Sequence, residues 1–239
     1  MIKNATGMSA GGIFLFDLNS PQLRCCVSKN PQLALRYPLF KKKKRIPMGE
    51  RVLVILGHPD GKSLCASLGK AYVEGAESAG REVRWLEVGR LDFDPILHHG
   101  YRKVQPLESD LLLAQELITW ATHIVLVYPT WWGGMPAILK GFFDRVFLPG
   151  FAYQYRNNSP FWDKLLKGKT AHILVTMDTP PWYYRLVNRA PGHNQTRRTI
   201  LEFTGIRVRK ITTFSPVRYA DSAKLAKWLE KAKRLGRNG

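Results

Sequence analysis

After residue 50 the chain alternates between short apolar runs rich in β-branched residues and longer segments whose apolar positions recur every three or four residues. Residues 52–56, Val-Leu-Val-Ile-Leu, read as a strand buried on both faces. Ser63 then stands at an N-cap position, and Leu64, Leu68, Tyr72 and Ala76 repeat at four-residue steps until Gly80. Residues 82–88 predict a second strand, 108–121 a second helix, and 123–128 a third strand closed by Pro129. The next helix, 136–147, opens with Pro136 at its first position and gathers Ile138, Leu139, Phe142, Phe143, Val146 and Phe147 on one side. A long aromatic loop separates it from a fourth strand at 171–177. A helix at 196–204 and a fifth strand at 206–214 follow, and a last helix at 221–235 turns Leu225, Trp228, Leu229 and Ala232 inward and its lysines outward. Strand and helix in regular alternation predict an α/β three-layer sandwich, a five-stranded parallel sheet with helices on both faces. Periodicity does not fix the strand order, but five alternations suit 2-1-3-4-5.

Residues 1–47 break this rhythm. They hold nine Lys or Arg against Asp17 alone, end in Lys-Lys-Lys-Lys-Arg at 41–45, and show no sustained period. They read as a basic, disordered extension, with Met48 as a candidate start of the functional product and 48–239 as one domain. The competing reading is a basic arm that makes peripheral contact with a membrane surface. At 239 residues and 45% hydrophobic the chain is long enough to bury a real core. Its net charge of +19 raises anionic partners, yet outside the lysine run the cations are scattered over solvated faces, which argues against nucleic acid. Cys25, Cys26 and Cys65 make neither a disulfide framework nor a zinc spacing, so no metal is expected and a reducing cytoplasm is the expected compartment. No apolar stretch approaches a membrane span.

The unusual chemistry lies just past the third strand, in Pro129-Thr130-Trp131-Trp132-Gly133-Gly134. Two adjacent indoles on flexible backbone are costly in water, so a flat apolar ligand is expected to cover them. Loops at the carboxyl ends of parallel strands are where open α/β sheets bind ligands. The turn after the first strand, Gly57-His58-Pro59-Asp60-Gly61-Lys62-Ser63, falls one residue short of a nucleotide P-loop. It still leads into a helix start, whose unpaired amides and dipole suit a phosphate, with His58, Lys62 and Ser63 as further donors. Cys65 reads as a small buried residue, and Asp144 and Arg145 as ties between helix and scaffold. Residues 176–194 form a second cluster at the same sheet edge, with Tyr183, Tyr184 and His193 able to donate hydrogen bonds to a substrate. His98-His99 lacks further ligands at metal spacing.

Together, His58 with Ser63, the Pro129-Thr130-Trp131-Trp132-Gly133 block, Pro136-Ala137-Ile138-Leu139-Lys140-Gly141, Asp144-Arg145-Val146-Phe147 and Gly150-Phe151-Ala152-Tyr153 resemble the flavodoxin-fold NAD(P)H:quinone oxidoreductases. That family includes DT-diaphorase, the bacterial modulator of drug activity and the ancillary subunits of potassium efflux. The resemblance covers about residues 50–235 and implies a flavodoxin-like fold, bound FMN or FAD, NAD(P)H as donor, quinone-like acceptors and a homodimer. It implies that His58, Ser63, Cys65 and Ala66 flank the flavin phosphate and ribityl chain, that Pro129, Thr130, Trp132 and Gly133 contact the ring beside Trp131, and that Thr176 lies at its pyrimidine end. Tyr184 and His193 fall near the pair associated with hydride transfer. The family often has Thr-Thr-Gly-Gly after the fourth strand, where this chain has Thr176-Met177-Asp178-Thr179-Pro180-Pro181. The implied reaction is a ping-pong transfer of a hydride from NAD(P)H to flavin and then to a quinone. A regulatory flavoprotein subunit of a cation efflux system and a flavodoxin-like electron carrier are the alternatives; the strongly basic chain argues against the carrier.

Overall fold

The structure, a computed structural model, describes residues 50–239; the expectations for 1–47, for Met48 as a start, for Cys25 and Cys26 and for the lysine run lie outside the described residues. The first half comprises β1 (Arg51–Leu56), α1 (Leu64–Ser78), β2 (Glu82–Glu87), α2 (Ser109–Trp120), β3 (His123–Pro129) and α3 (Ala137–Val146). A small hairpin follows, β4 (Tyr153–Tyr155) with β5 (Trp162–Lys164), then β6 (Thr170–Thr176) and α4 (Pro181–Leu186). A continuous helical stretch runs through α5 (Pro191–Asn194), a π-helical turn (Gln195–Leu201) and α6 (Glu202–Thr204), before β7 (Arg207–Phe214) and α7 (Ser222–Asn238).

The five long strands pair in parallel in the order β2-β1-β3-β6-β7, which is 2-1-3-4-5 once the hairpin is set aside. The central strands β3 and β6 are buried at every position, as their unbroken apolar runs require. One face of the sheet packs Val52, Val54, Leu56, Val125, Val127 and Leu174 against α1 and α7. The other packs Leu53, Ile55, Leu126, Ile173 and Val175 against α2, α3 and the helical stretch before β7.

Helices α1 and α7 touch backbone to backbone. A Cβ on Gly75 would lie 1.9 Å from the Lys233 carbonyl oxygen, and one on Gly236 would lie 2.0 Å from that of Tyr72. Only two glycines permit that approach.

Four local expectations are corrected. The loop after α3 contains the β4–β5 hairpin, which Trp162 docks by stacking on Phe203 at 4.4 Å and donating Nε1–H to its carbonyl at 2.9 Å. Pro136 is the N-cap of α3, one position before the first helical residue. The stretch between the fourth strand and residue 196, expected to be a loop, holds a short helix that starts at Pro181, a position where no amide is needed. The helix expected at 196–204 begins already at Pro191. Arg145 is a scaffold tie, as expected: fully buried, it donates to Glu108 at 2.8 Å, to the Pro106 carbonyl at 2.8 Å and to the Asp94 carbonyl. Among the described residues no helix is long and apolar enough to cross a membrane.

Candidate functional site

β1 and β3 lie side by side at the centre of the sheet, so the loops that leave their carboxyl ends meet. In the first loop the amide of Asp60 donates to His58 Nδ1 at 2.9 Å. Nδ1 is therefore an acceptor, and the neutral ring carries its proton on Nε2, available as a donor. Burial holds the His58 pKa below its ordinary value, against an opposing pull from Asp60. Ser63 caps α1 by accepting the Ala66 amide at 3.3 Å, while the preceding amides of Leu64 and Cys65 stand in the first turn of a fifteen-residue helix, where no intrahelical acceptor exists. Open amides at the start of a long helix, with its dipole behind them, suit an anion. The Cys65 thiol is pushed up to about 11 by burial, opposed by the Thr176 hydroxyl 3.2 Å away, so it stays protonated and unreactive at neutral pH.

The second loop is a tight turn. Trp131 and Gly134 exchange both backbone hydrogen bonds, at 2.9 and 3.0 Å, across Trp132 at φ 50° and Gly133 at φ 79°. Positive φ at both central positions is the geometry that closes a two-residue turn most tightly, and it strains a Trp, though not a Gly. The turn separates the two indoles. Trp131 lines the cleft, edge-on to His58 with centroids 5.5 Å apart, whereas Trp132 is fully exposed at the tip.

A third segment holds the turn from behind. Tyr184 donates its hydroxyl to the Gly133 carbonyl at 2.8 Å, and the Gly192 amide donates to that carbonyl at 3.0 Å and to the Tyr184 oxygen at 2.9 Å. A Cβ on Gly192 would lie 2.6 Å from the Gly133 oxygen, so the contact depends on glycine. His193 packs on Tyr184 with centroids 4.9 Å apart; burial, aided by Arg185, lowers its pKa to about 4, and its Nε2 has no partner among the described residues.

The loops enclose a cleft of about 220 Å³. It brings together seven of the expected cofactor residues, His58, Ser63, Cys65, Pro129, Thr130, Trp131 and Thr176. The other three are placed elsewhere. Ala66 is packed in the core with its amide spent on Ser63, Gly133 offers its carbonyl to Tyr184, and Trp132 projects into solvent. Neither Tyr184 nor His193 lines the cleft; both are buried behind the turn. Leu64, Met177, Asp178 and Val217 also line it and are absent from the sequence-derived set. Val217 was findable in principle, because it follows the last parallel strand at the same sheet edge; its amide donates to the Met177 carbonyl at 3.1 Å. Asp178 Oδ1 accepts the Arg218 amide at 2.7 Å, which joins the loops after β6 and β7. Elsewhere, His98 Nε2 is tied to Asp94 at 2.6 Å.

A cleft lined by the Trp131 indole, Pro129, Met177 and Val217, together with open helix amides and an imidazole donor, suits a flat ligand with an anionic end. A Haemophilus influenzae protein named an uncharacterized NAD(P)H oxidoreductase is 34% identical over 132 residues, 52% of this chain and 63% of that one. The mouse ribosyldihydronicotinamide dehydrogenase (quinone) is 30% identical over 150 residues, 54% of this chain and 63% of its own length. The chain thus spans under two thirds of the length of these curated relatives. The crystal structure of Smu.1420 from Streptococcus mutans UA159 superposes with a TM-score of 0.67 at 29% identity, over 79% of this chain and 100% of that one. Residues 50–235 match the family model described as flavodoxin-like fold, and the chain belongs to that family.

Proposed function

We propose that this chain is a flavin-dependent NAD(P)H oxidoreductase that reduces quinones or similar flat acceptors by two electrons, in a ping-pong sequence. The observation that carries the reading is the cleft that brings the open α1 amides and His58 together with the indole of Trp131. The relatives named above, an NAD(P)H oxidoreductase and a quinone-linked dehydrogenase, support the donor and the acceptor class.

In this reading the Leu64 and Cys65 amides, Ser63 and His58 Nε2–H hold the phosphate of FMN or FAD, and Pro129, Thr130 and Trp131 wall the ring. Thr176, Met177 and Asp178 occupy the place of the family's Thr-Thr-Gly-Gly at the pyrimidine end. When bound, the flavin supplies the hydride chemistry. The chain's own part is to orient that ring, exclude water with Trp131, Met177 and Val217, and stabilise added negative charge with fixed donors. Tyr184 and His193 serve as positioning residues: the tyrosine's donor is used by Gly133, and both residues act on the cleft through the turn. The protein is expected to work in the cytoplasm as a homodimer.

The test is a purified preparation examined for bound flavin, with the released cofactor identified by chromatography, followed by NADH and NADPH oxidation with and without menadione. Bound flavin with menadione-dependent turnover is the expected result. A colourless protein that takes up neither FMN nor FAD on addition refutes the reading.

A further inference from the structure

Near the amino ends of the strands, away from the cleft, β7 contains a bulge. Ala171 pairs with Val208 and His172 with Lys210, which leaves Arg209 as the extra residue. A regular strand would send Arg209 and Lys210 to opposite faces; the bulge lets both line one basin. Across it, α7 presents Lys231 and Arg234, one turn apart. The basin has a volume of about 390 Å³, larger than the cleft.

Its floor is His172, buried, with Nδ1 3.0 Å from the Tyr72 hydroxyl, which in turn lies 3.2 Å from His123 Nε2. Burial, with Arg209, Lys210 and Arg81 nearby, lowers the His172 pKa to about 4, so the floor is neutral and polar rather than a fifth cation. Among the described residues no acidic side chain lines the basin, and Lys210, Lys231 and Arg234 form no ion pair. Arg209 is partly compensated, 3.6 Å from Glu50 and donating at 3.0 Å to the backbone oxygen of Gly239, which also lines the basin, and Lys231 Nζ lies 5.6 Å from the Phe214 ring centroid; Glu50 is shared with Arg81 at 2.8 Å.

A helix C-terminus favours cations in its last turns, which accounts for Lys231 and Arg234 by themselves. It does not account for two further cations brought to the same concavity by a bulge in an edge strand. Four like charges in one basin repel, and a polyanion relieves that repulsion. Guanidinium and ammonium groups together match phosphate oxygens.

We propose that the basin between β7 and α7 binds a compact cluster of phosphates, as a free polyphosphate compound or as the headgroup of a phosphorylated lipid. It is separate from the cleft and does not depend on the proposed function.

The test uses the full chain with Lys41, Lys42, Lys43 and Lys44 replaced by Gln, so that this run cannot compete. Inorganic tripolyphosphate is titrated calorimetrically at low and physiological salt, and vesicles with and without a phosphoinositide are tested by co-sedimentation. Binding in either arm is expected to weaken with salt. The Lys210→Ala, Lys231→Ala pair should weaken it by about tenfold for each cation removed, while Lys103→Ala, which removes an exposed cation outside both the basin and the cleft, leaves it unchanged. The arm in which variant-sensitive binding occurs identifies the source of the phosphate. Both replaced side chains reach solvent, and an unchanged melting temperature of the pair verifies its fold. No binding in either arm, or binding that the pair retains in full, overturns the proposal.

Discussion

The Tyr184 hydroxyl lies 2.8 Å from the carbonyl oxygen of Gly133, bridging helix α4 and the turn after β3 between residues 51 apart in sequence. Through this bond and the Gly192 amide, the segment after β6 sets the conformation of the indole turn after β3.

Tyr184→Phe should therefore loosen the turn without removing apolar packing. Denaturant unfolding is expected to show a loss of about 1–2 kcal/mol, the cost of one buried hydrogen bond, together with weaker flavin retention. Turnover with menadione under saturating flavin should change only modestly. A fall of about 100-fold or more in kcat with retention intact would instead mark the tyrosine as a proton donor in the reaction.

The two tryptophans should respond differently. Trp131 lines the cleft beside His58, and Trp132 is wholly exposed. Trp131→Ala is expected to weaken flavin binding by roughly 1–3 kcal/mol, on the scale of aromatic–base stacking. Trp132→Ala should change it by less than about 0.5 kcal/mol, as a surface substitution does. Flavin fluorescence titration of both variants measures the difference; equal losses would refute this division of roles.

Much of this was legible in the chain. The five strands and the capped helix α1 announce themselves because each is long and uniformly patterned, and the central motif located the cleft. Two features were not legible. Strands of three residues, such as β4 and β5, carry too little pattern to be distinguished from loop. Which of two adjacent indoles faces the ligand depends on positive φ at Trp132 and Gly133, a property of turn closure that residue type alone does not fix. The same reason hid the role of Tyr184: its partner is a backbone carbonyl, which leaves no signature in the partner's side chain.

Stability should fall on mild acidification, before the carboxylates titrate. His172 and His193 have pKa values lowered to about 4 and His123 to about 3, in each case chiefly by burial. The unfolded chain, with histidines near 6.5, binds more protons than the native state between those values. The stabilisation is thus complete above pH 6.5 and is lost as the pH falls toward 4. A single histidine of this kind accounts for about 3 kcal/mol by pH 4. Thermal melting across this range should show the decline, and His172→Gln should make it shallower while His193 and His123 keep part of it.

Two core substitutions test the scaffold. Gly75→Ala places a methyl against the Lys233 carbonyl, and the resulting overpacking is expected to cost roughly 1–3 kcal/mol or more. Arg145→Ala strips Glu108 of its charged partner and leaves the Pro106 and Asp94 carbonyls without a donor, with an expected loss of roughly 3 kcal/mol. Chemical denaturation reads both; neutral behaviour of Gly75→Ala would mean the helices separate easily.

The Gly75–Gly236 contact also has a consequence for synthesis on the ribosome. One flank of α1 packs on the sheet, but the flank at Gly75 receives its cover from α7, translated near the other end of the folded unit. Until that late segment emerges, a nascent chain carries the greasy flank of its earliest helix uncovered, a stage at which chaperones have something to hold.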